Sequence, residues 1–98
     1  MKRDIDNIIS LLRECFPTLK VVQLQKTHPA DDDGLWWFRL PGITKDIQVE
    51  SSMGNCPFLI ESDDDQSAAD ARVARSVDEA VEIIACYLSS LAPDQRRS

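Results

Sequence analysis

Ninety-eight residues, 43% hydrophobic and 29% charged, make one folded domain, too short for a second core and too apolar for a disordered chain. Seventeen acids against eleven lysines and arginines leave a net charge of −6. That balance repels phosphate backbones and anionic membranes, which argues against nucleic-acid and membrane binding.

Asp4, Asp6, Asn7, Arg13 and Glu14 interrupt any apolar stretch after Lys2 and Arg3, so no secretory signal is expected. No apolar run approaches the ~18 residues that span a bilayer. The expected location is the cytoplasm. Cys15, Cys56 and Cys86 are odd in number and lack CxxC spacing. Free thiols in a reducing compartment fit this pattern better than a disulfide framework or a zinc ribbon.

In chain order, Ile5, Ile8, Ile9, Leu12 and Phe16 share one helical stripe, which predicts a helix over 4–16 ended by Pro17. Residues 19–26 read as a strand with Val22 and Leu24 on one face and Val21, Gln23 and Gln25 on the other. Residues 27–34 contain His28-Pro29 and end in Asp33-Gly34, a hairpin turn pair. Strands follow at 35–40, 46–51 and 58–61, separated by turns at Pro41-Gly42 and Met53-Gly54-Asn55. The polar stretch 62–70 leads to a short edge strand at 71–75. Ser76-Val77-Asp78-Glu79 has the form of a capping box. It opens a helix whose stripe is Val77, Ala80, Val81, Ile84, Leu88 and Leu91, stopped by Pro93. Residues 94–98 read as a flexible tail.

Short connections imply antiparallel neighbours, and a single apolar stripe per helix requires each helix to lie on the sheet. The expected fold is α+β: a single domain, 1–98, in two layers. The N- and C-terminal helices pack on one face of a four- or five-stranded antiparallel sheet, in the order α-β-β-β-β-(β)-α.

Nothing in the sequence argues for catalysis, a metal or a cofactor. An EF-hand loop needs Gly at its sixth position and Glu at its twelfth. Counted from Asp63 these are Ala68 and Ala74; counted from Asp31 they are Trp36 and Gly42. His28 is the sole histidine, and no spacing ties it to Cys56 or another thiol. The three glycines, Gly34, Gly42 and Gly54, sit at turns and build no phosphate loop.

The informative segment is Leu35-Trp36-Trp37-Phe38-Arg39-Leu40. Alternation sends Trp36, Phe38 and Leu40 to the core and leaves Leu35, Trp37 and Arg39 on the other face. Asp46, Gln48 and Glu50 join them from the next strand, with Gln23, Gln25 and Glu61 alongside. A tryptophan and an arginine ringed by amides and acids resemble a binding hot spot with a polar rim. The competing structural explanation is that Trp37 packs under the 62–75 segment. From Asp46 to Asp70 there are seven acids and no Lys or Arg, a one-signed field that would steer a basic partner.

Leu35-Trp36-Trp37-Phe38-Arg39, Gln48-Val49-Glu50-Ser51-Ser52, Cys56-Pro57-Phe58-Leu59-Ile60-Glu61 and Ser76-Val77-Asp78-Glu79-Ala80-Val81 resemble stretches of small uncharacterised bacterial proteins. The chain's size and acidity are similar to those of immunity proteins that neutralise bacterial toxins. That resemblance carries no active residues with it. It implies a non-enzymatic inhibitor that blocks a basic toxin or nuclease, and the open face read from alternation supplies the expected contact residues, Leu35, Trp37, Arg39, Asp46, Gln48, Glu50 and Glu61. The alternatives are an acidic secretion chaperone that dimerises, and a small enzyme or ligand-binding domain using Cys56 or a pocket beneath the 62–75 segment.

Overall fold

The computed structural model describes residues 3–23, 34–51, 54–67 and 70–97. Helix α1 (Asp4–Cys15) buries Ile5, Ile8 and Leu12 completely, as the i, i+3, i+7 spacing requires. Its start is held by the Arg3 amide, which donates to the Asp6 carboxylate at 3.0 Å. Asp4 and Asp6 occupy the first turn, where the helix dipole favours acids. Phe16, preceding Pro17, leaves helical geometry (φ −131°, ψ 85°) and turns a fully buried ring into the core.

Five strands follow: β1 (Lys20–Gln23), β2 (Leu35–Arg39), β3 (Ile47–Glu50), β4 (Phe58–Ser62) and β5 (Arg72–Ala74). They form one antiparallel meander in the order β1-β2-β3-β4-β5, so the short edge strand expected at 71–75 is present. Gly42 and Gly54 turn the chain with φ of 77° and 74°, a region that L side chains rarely enter. Helix α2 (Val77–Leu91) then returns beside α1.

The core lies between the helix pair and one sheet face. Trp36 stands opposite Val49, which stands opposite Ile60, and Phe38 stands opposite Ile47. All five are at most 3% exposed and pack with Ile5, Ile8, Leu12, Ile84 and Leu88 in one cluster. The fold is the expected two-layer α+β sandwich, with five strands.

The two ends of α2 depart from expectation in instructive ways. Ser76 caps the helix by accepting from the Glu79 amide at 3.1 Å. The Glu79 carboxylate, however, accepts from the Arg75 amide at 3.4 Å, one residue before the cap, so only half of the capping box forms as expected. Ser76→Ala should therefore cost roughly 1 kcal/mol, read as a lowered urea midpoint. An unchanged midpoint would mean that the cap contributes nothing. At the other end, Pro93–Gln95 form a 3-10 turn. The Arg97 amide donates to the Cys15 carbonyl at 2.6 Å, the Gln95 amide group to the Pro41 carbonyl at 2.8 Å, and Arg96 lies over the Phe16 ring. Charge and proline in the sequence carried no sign of these partners, which only the folded chain brings within reach.

Candidate functional site

With both helices on one side, the other side of the sheet has no covering layer among the described residues. Cross-strand register arranges its side chains in rows. Val22, Trp37, Gln48 and Glu61 form one row, and Leu35, Glu50, Leu59 and Val73 form the next. Lys20 stands opposite Arg39 at the end of the face. Leu35, Trp37, Arg39, Gln48, Glu50 and Glu61 thus share the face on which alternation placed them. Val22 and Val73, on opposite edge strands, are 53% and 48% exposed. They form the apolar margins of a face whose middle holds the half-buried Trp37, Leu35 and Leu59.

Strand β1 corrects the expected facing of its side chains. Gln23 stands opposite Trp36 and Val21 opposite Phe38, both on the helix side, while Val22 joins Trp37 on the open side. The amides of Gln23 and Gln25 and the apolar Leu24 favoured the opposite facing, but pairing with β2 overrode that local pattern. Leu24 and Gln25 lie outside the described residues. Leu59 alternates with the buried Phe58 and Ile60 and could have been placed on this face from sequence. Val73 could not, because three residues of β5 carry too short a pattern.

Trp37 is held in place. Its indole N–H donates to the Gln48 side-chain oxygen at 3.1 Å, which sets the ring's orientation on the sheet. Beside it, Arg39 grips Asp46 through both Nε and Nη2, the latter at 2.8 Å. The bond to Asp46, and then that residue's charge, raise the pKa of the guanidinium. These groups, with Lys20 and Val22, line a groove of about 330 Å3. An oriented aromatic wall, an exposed valine and a neutralised arginine suit a docked side chain better than bond-breaking chemistry.

The acidic run proves to be mainly turn chemistry. Asp46 pairs with Arg39, and its own amide donates to Asp63 at 2.8 Å. Asp64 pairs with Lys45, and that bond lowers the pKa of the carboxyl. Asp65 accepts from both the amide and the hydroxyl of Ser62 at 3.0 Å, and Asp70 accepts from the amides of Gln66 and Ser67 at 2.7 and 3.2 Å. Short carboxylates that bond nearby backbone N–H groups build turns. Only Glu50 and Glu61 remain without such a role among the described residues, and both lie on the open face. Arg39 and Lys45 offset two of the seven acids by ion pairing, whereas hydrogen bonds from uncharged amides and hydroxyls leave the net charge of the run unchanged.

The segment after β4 turns toward α2, away from Trp37. Ser62, Asp65, Asp70 and Arg72 line a cleft of about 250 Å3 with Ile83, Cys86 and Tyr87 of α2, over Ile47 and Ile60. The idea that this segment covers Trp37 is thus replaced by a cleft on the opposite side of the sheet. The Tyr87 hydroxyl is buried there without a hydrogen-bond partner. Asp64 and Ser62 come near enough to act on its titration but not into bonding geometry. Burial first, and then Asp64, push its pKa up to about 12, so it keeps its proton at neutral pH.

The three cysteines are free thiols. Cys56 is half-buried, and burial followed by the nearby Asp4 raises its pKa, which works against a nucleophilic thiolate. His28, the sole histidine, lies outside the described residues. Cys86 is exposed on the outer face of α2, and we expect brief alkylation followed by mass spectrometry to label it first. Faster labelling of Cys56 would revive a catalytic role for that residue. No group of three or more potential metal ligands occurs among the described residues, and no helix there is long and apolar enough to cross a membrane. Comparison with protein-family models, curated proteins and solved structures found no match to this chain.

Proposed function

We propose that this protein is a non-enzymatic binding module that docks another protein on the open face of its sheet. The observation that carries the reading is the uncovered row Val22-Trp37-Gln48-Glu61, in which a tryptophan is oriented by a hydrogen bond yet left half-exposed. A buried anchor with a polar rim is what a docked partner would complete, and tryptophan and arginine are common in such centres. Glu50, Glu61 and the net charge of −6 favour a basic partner, in keeping with an immunity-type inhibitor that covers the cationic site of a toxin or nuclease. Leu35, Arg39, Asp46 and Gln48 form the rest of the contact surface.

The test is a pull-down from the cells that make the protein, using wild type and Trp37→Ala at low and high salt. A partner kept by wild type, lost by Trp37→Ala and weakened by salt supports the reading, since added ions screen exposed charges. A partner that Trp37→Ala retains in full places the working surface elsewhere.

A further inference from the structure

We propose that the open face takes a partner segment of ordered charge: an apolar side chain beside a carboxylate at the β1–β2 side, and an apolar side chain beside a cation at the β4–β5 side. This rests on the docking reading above and narrows it, because a uniformly basic surface would set a cation against Lys20. Two grooves mark the contact points. One, of about 330 Å3, runs past Lys20, Val22 and Trp37, and the other, of about 290 Å3, past Glu50, Leu59 and Val73. Val22 and Val73, the most exposed large apolar side chains among the described residues, stand one in each. Each groove therefore offers an apolar wall that a docked side chain can dry.

Charge tells the two ends apart. Lys20 has no ion pair or side-chain hydrogen bond among the described residues, while its neighbour Arg39 is already paired with Asp46. Glu50 and Glu61 likewise have no cation beside them. Glu61 follows Leu59 by two residues on the same face of β4, and Arg72 stands opposite Ile60 on the helix side, where it cannot offset either acid. Lys20 on β1 and Glu61 on β4 are three strand spacings apart, about 14 Å. That exceeds the screening length of ~8 Å at physiological salt, so the two ends do not quench each other. A segment with cations throughout would satisfy the glutamates and be repelled by Lys20. One with acids throughout would meet the reverse. Only an acid at one end and a base at the other answers both.

Three peptides with blocked ends test this on the full chain. Each carries two leucines joined by a Gly/Ser spacer of about five residues, since Trp37 and Val73 lie three strands and one row apart, roughly 16 Å. They differ only beside the leucines: a glutamate at one and a lysine at the other, lysine at both, or glutamate at both. Each is titrated at about 0.15 M salt, where long-range attraction to the net charge is screened. Backbone amide NMR shifts of Val22, Trp37, Glu50 and Val73 are followed. The mixed peptide should bind about fivefold more tightly than either of the others, the upper worth of one exposed ion pair. Lys20→Glu should reverse the order and put the doubly basic peptide first. A doubly basic peptide that binds wild type as tightly as the mixed one, or an unchanged order in Lys20→Glu, overturns the proposal. If the shifts still centre on Trp37 in that case, the docking face itself stands. Shifts elsewhere on the molecule, or none with any peptide, also overturn the proposal, and the Trp37→Ala pull-down then decides whether the face docks a partner at all.

Discussion

Trp36→Ala should cost on the order of 3–5 kcal/mol of folding stability, while Trp37→Ala, one residue along, should cost less than about 1.5 kcal/mol. Trp36 is 3% exposed, sits in the core opposite Val49, and carries the Arg3 guanidinium 5.8 Å from its ring centroid. Removing it opens a large cavity beneath the helices. Trp37 stands on the open face with one side-chain hydrogen bond, to Gln48, so its loss removes a contact without emptying the core. Against a typical total of ~5–15 kcal/mol for a small domain, the first change should lower Tm by more than about 12 °C. Parallel urea and thermal melts decide the matter. Equal losses for the two variants would mean that Trp37 is itself part of a covered core, and the open-face reading would lose its anchor.

Phe58→Ala should be comparably damaging, at about 3–5 kcal/mol, while Val73→Ala stays within about 0.5 kcal/mol. Phe58 is fully buried and pairs with Ala74, also fully buried, on β5. The small alanine on the edge strand stands opposite the phenylalanine, so packing against this ring is expected to hold β5 in place. Val73, between Arg72 and Ala74, points to the open side at 48% exposure. Protection of the β5 amides from hydrogen exchange should collapse in Phe58→Ala and persist in Val73→Ala. A mild loss in Phe58→Ala would show that the edge strand is held by its backbone ladder and not by the core.

Elements with a strong period were legible from the chain. Ile5, Ile8, Leu12 and Phe16 of the first stripe and Ala80, Ile84 and Leu88 of the second are buried, with Ile9, Val77, Val81 and Leu91 half-buried at the margins, because a helix has only one face on which such a pattern can go dry. Alternation in β2 separated Trp36 and Phe38 from Leu35, Trp37 and Arg39, because the two sets differ in what burial would cost. The same test failed on β1. Gln23, Gln25 and Leu24 favoured one facing, and pairing with β2 imposed the other, turning Gln23 toward the helices and Val22 outward.

Charge was the least local of the properties. Seven acids between 46 and 70 read as one field in sequence, but Asp46, Asp64, Asp65 and Asp70 each found a donor, and Asp63 accepts the Asp46 amide at the open end of the β3–β4 pair. No pattern announces which carboxylate will meet Lys45 or Arg39, since those meetings follow from strand pairing. The cleft under Tyr87 belongs to the same class: its walls come from β3, β4, the segment leading into β5, and α2. The sequence by itself determined the two helical stripes, the alternation of β2 and the class of fold, because each depends on the period of hydrophobic cost along one segment. Tertiary structure alone decided the facing of β1, the docking of residues 93–97, the use of the acids and the existence of the cleft, because each depends on which groups distant segments bring within bonding distance.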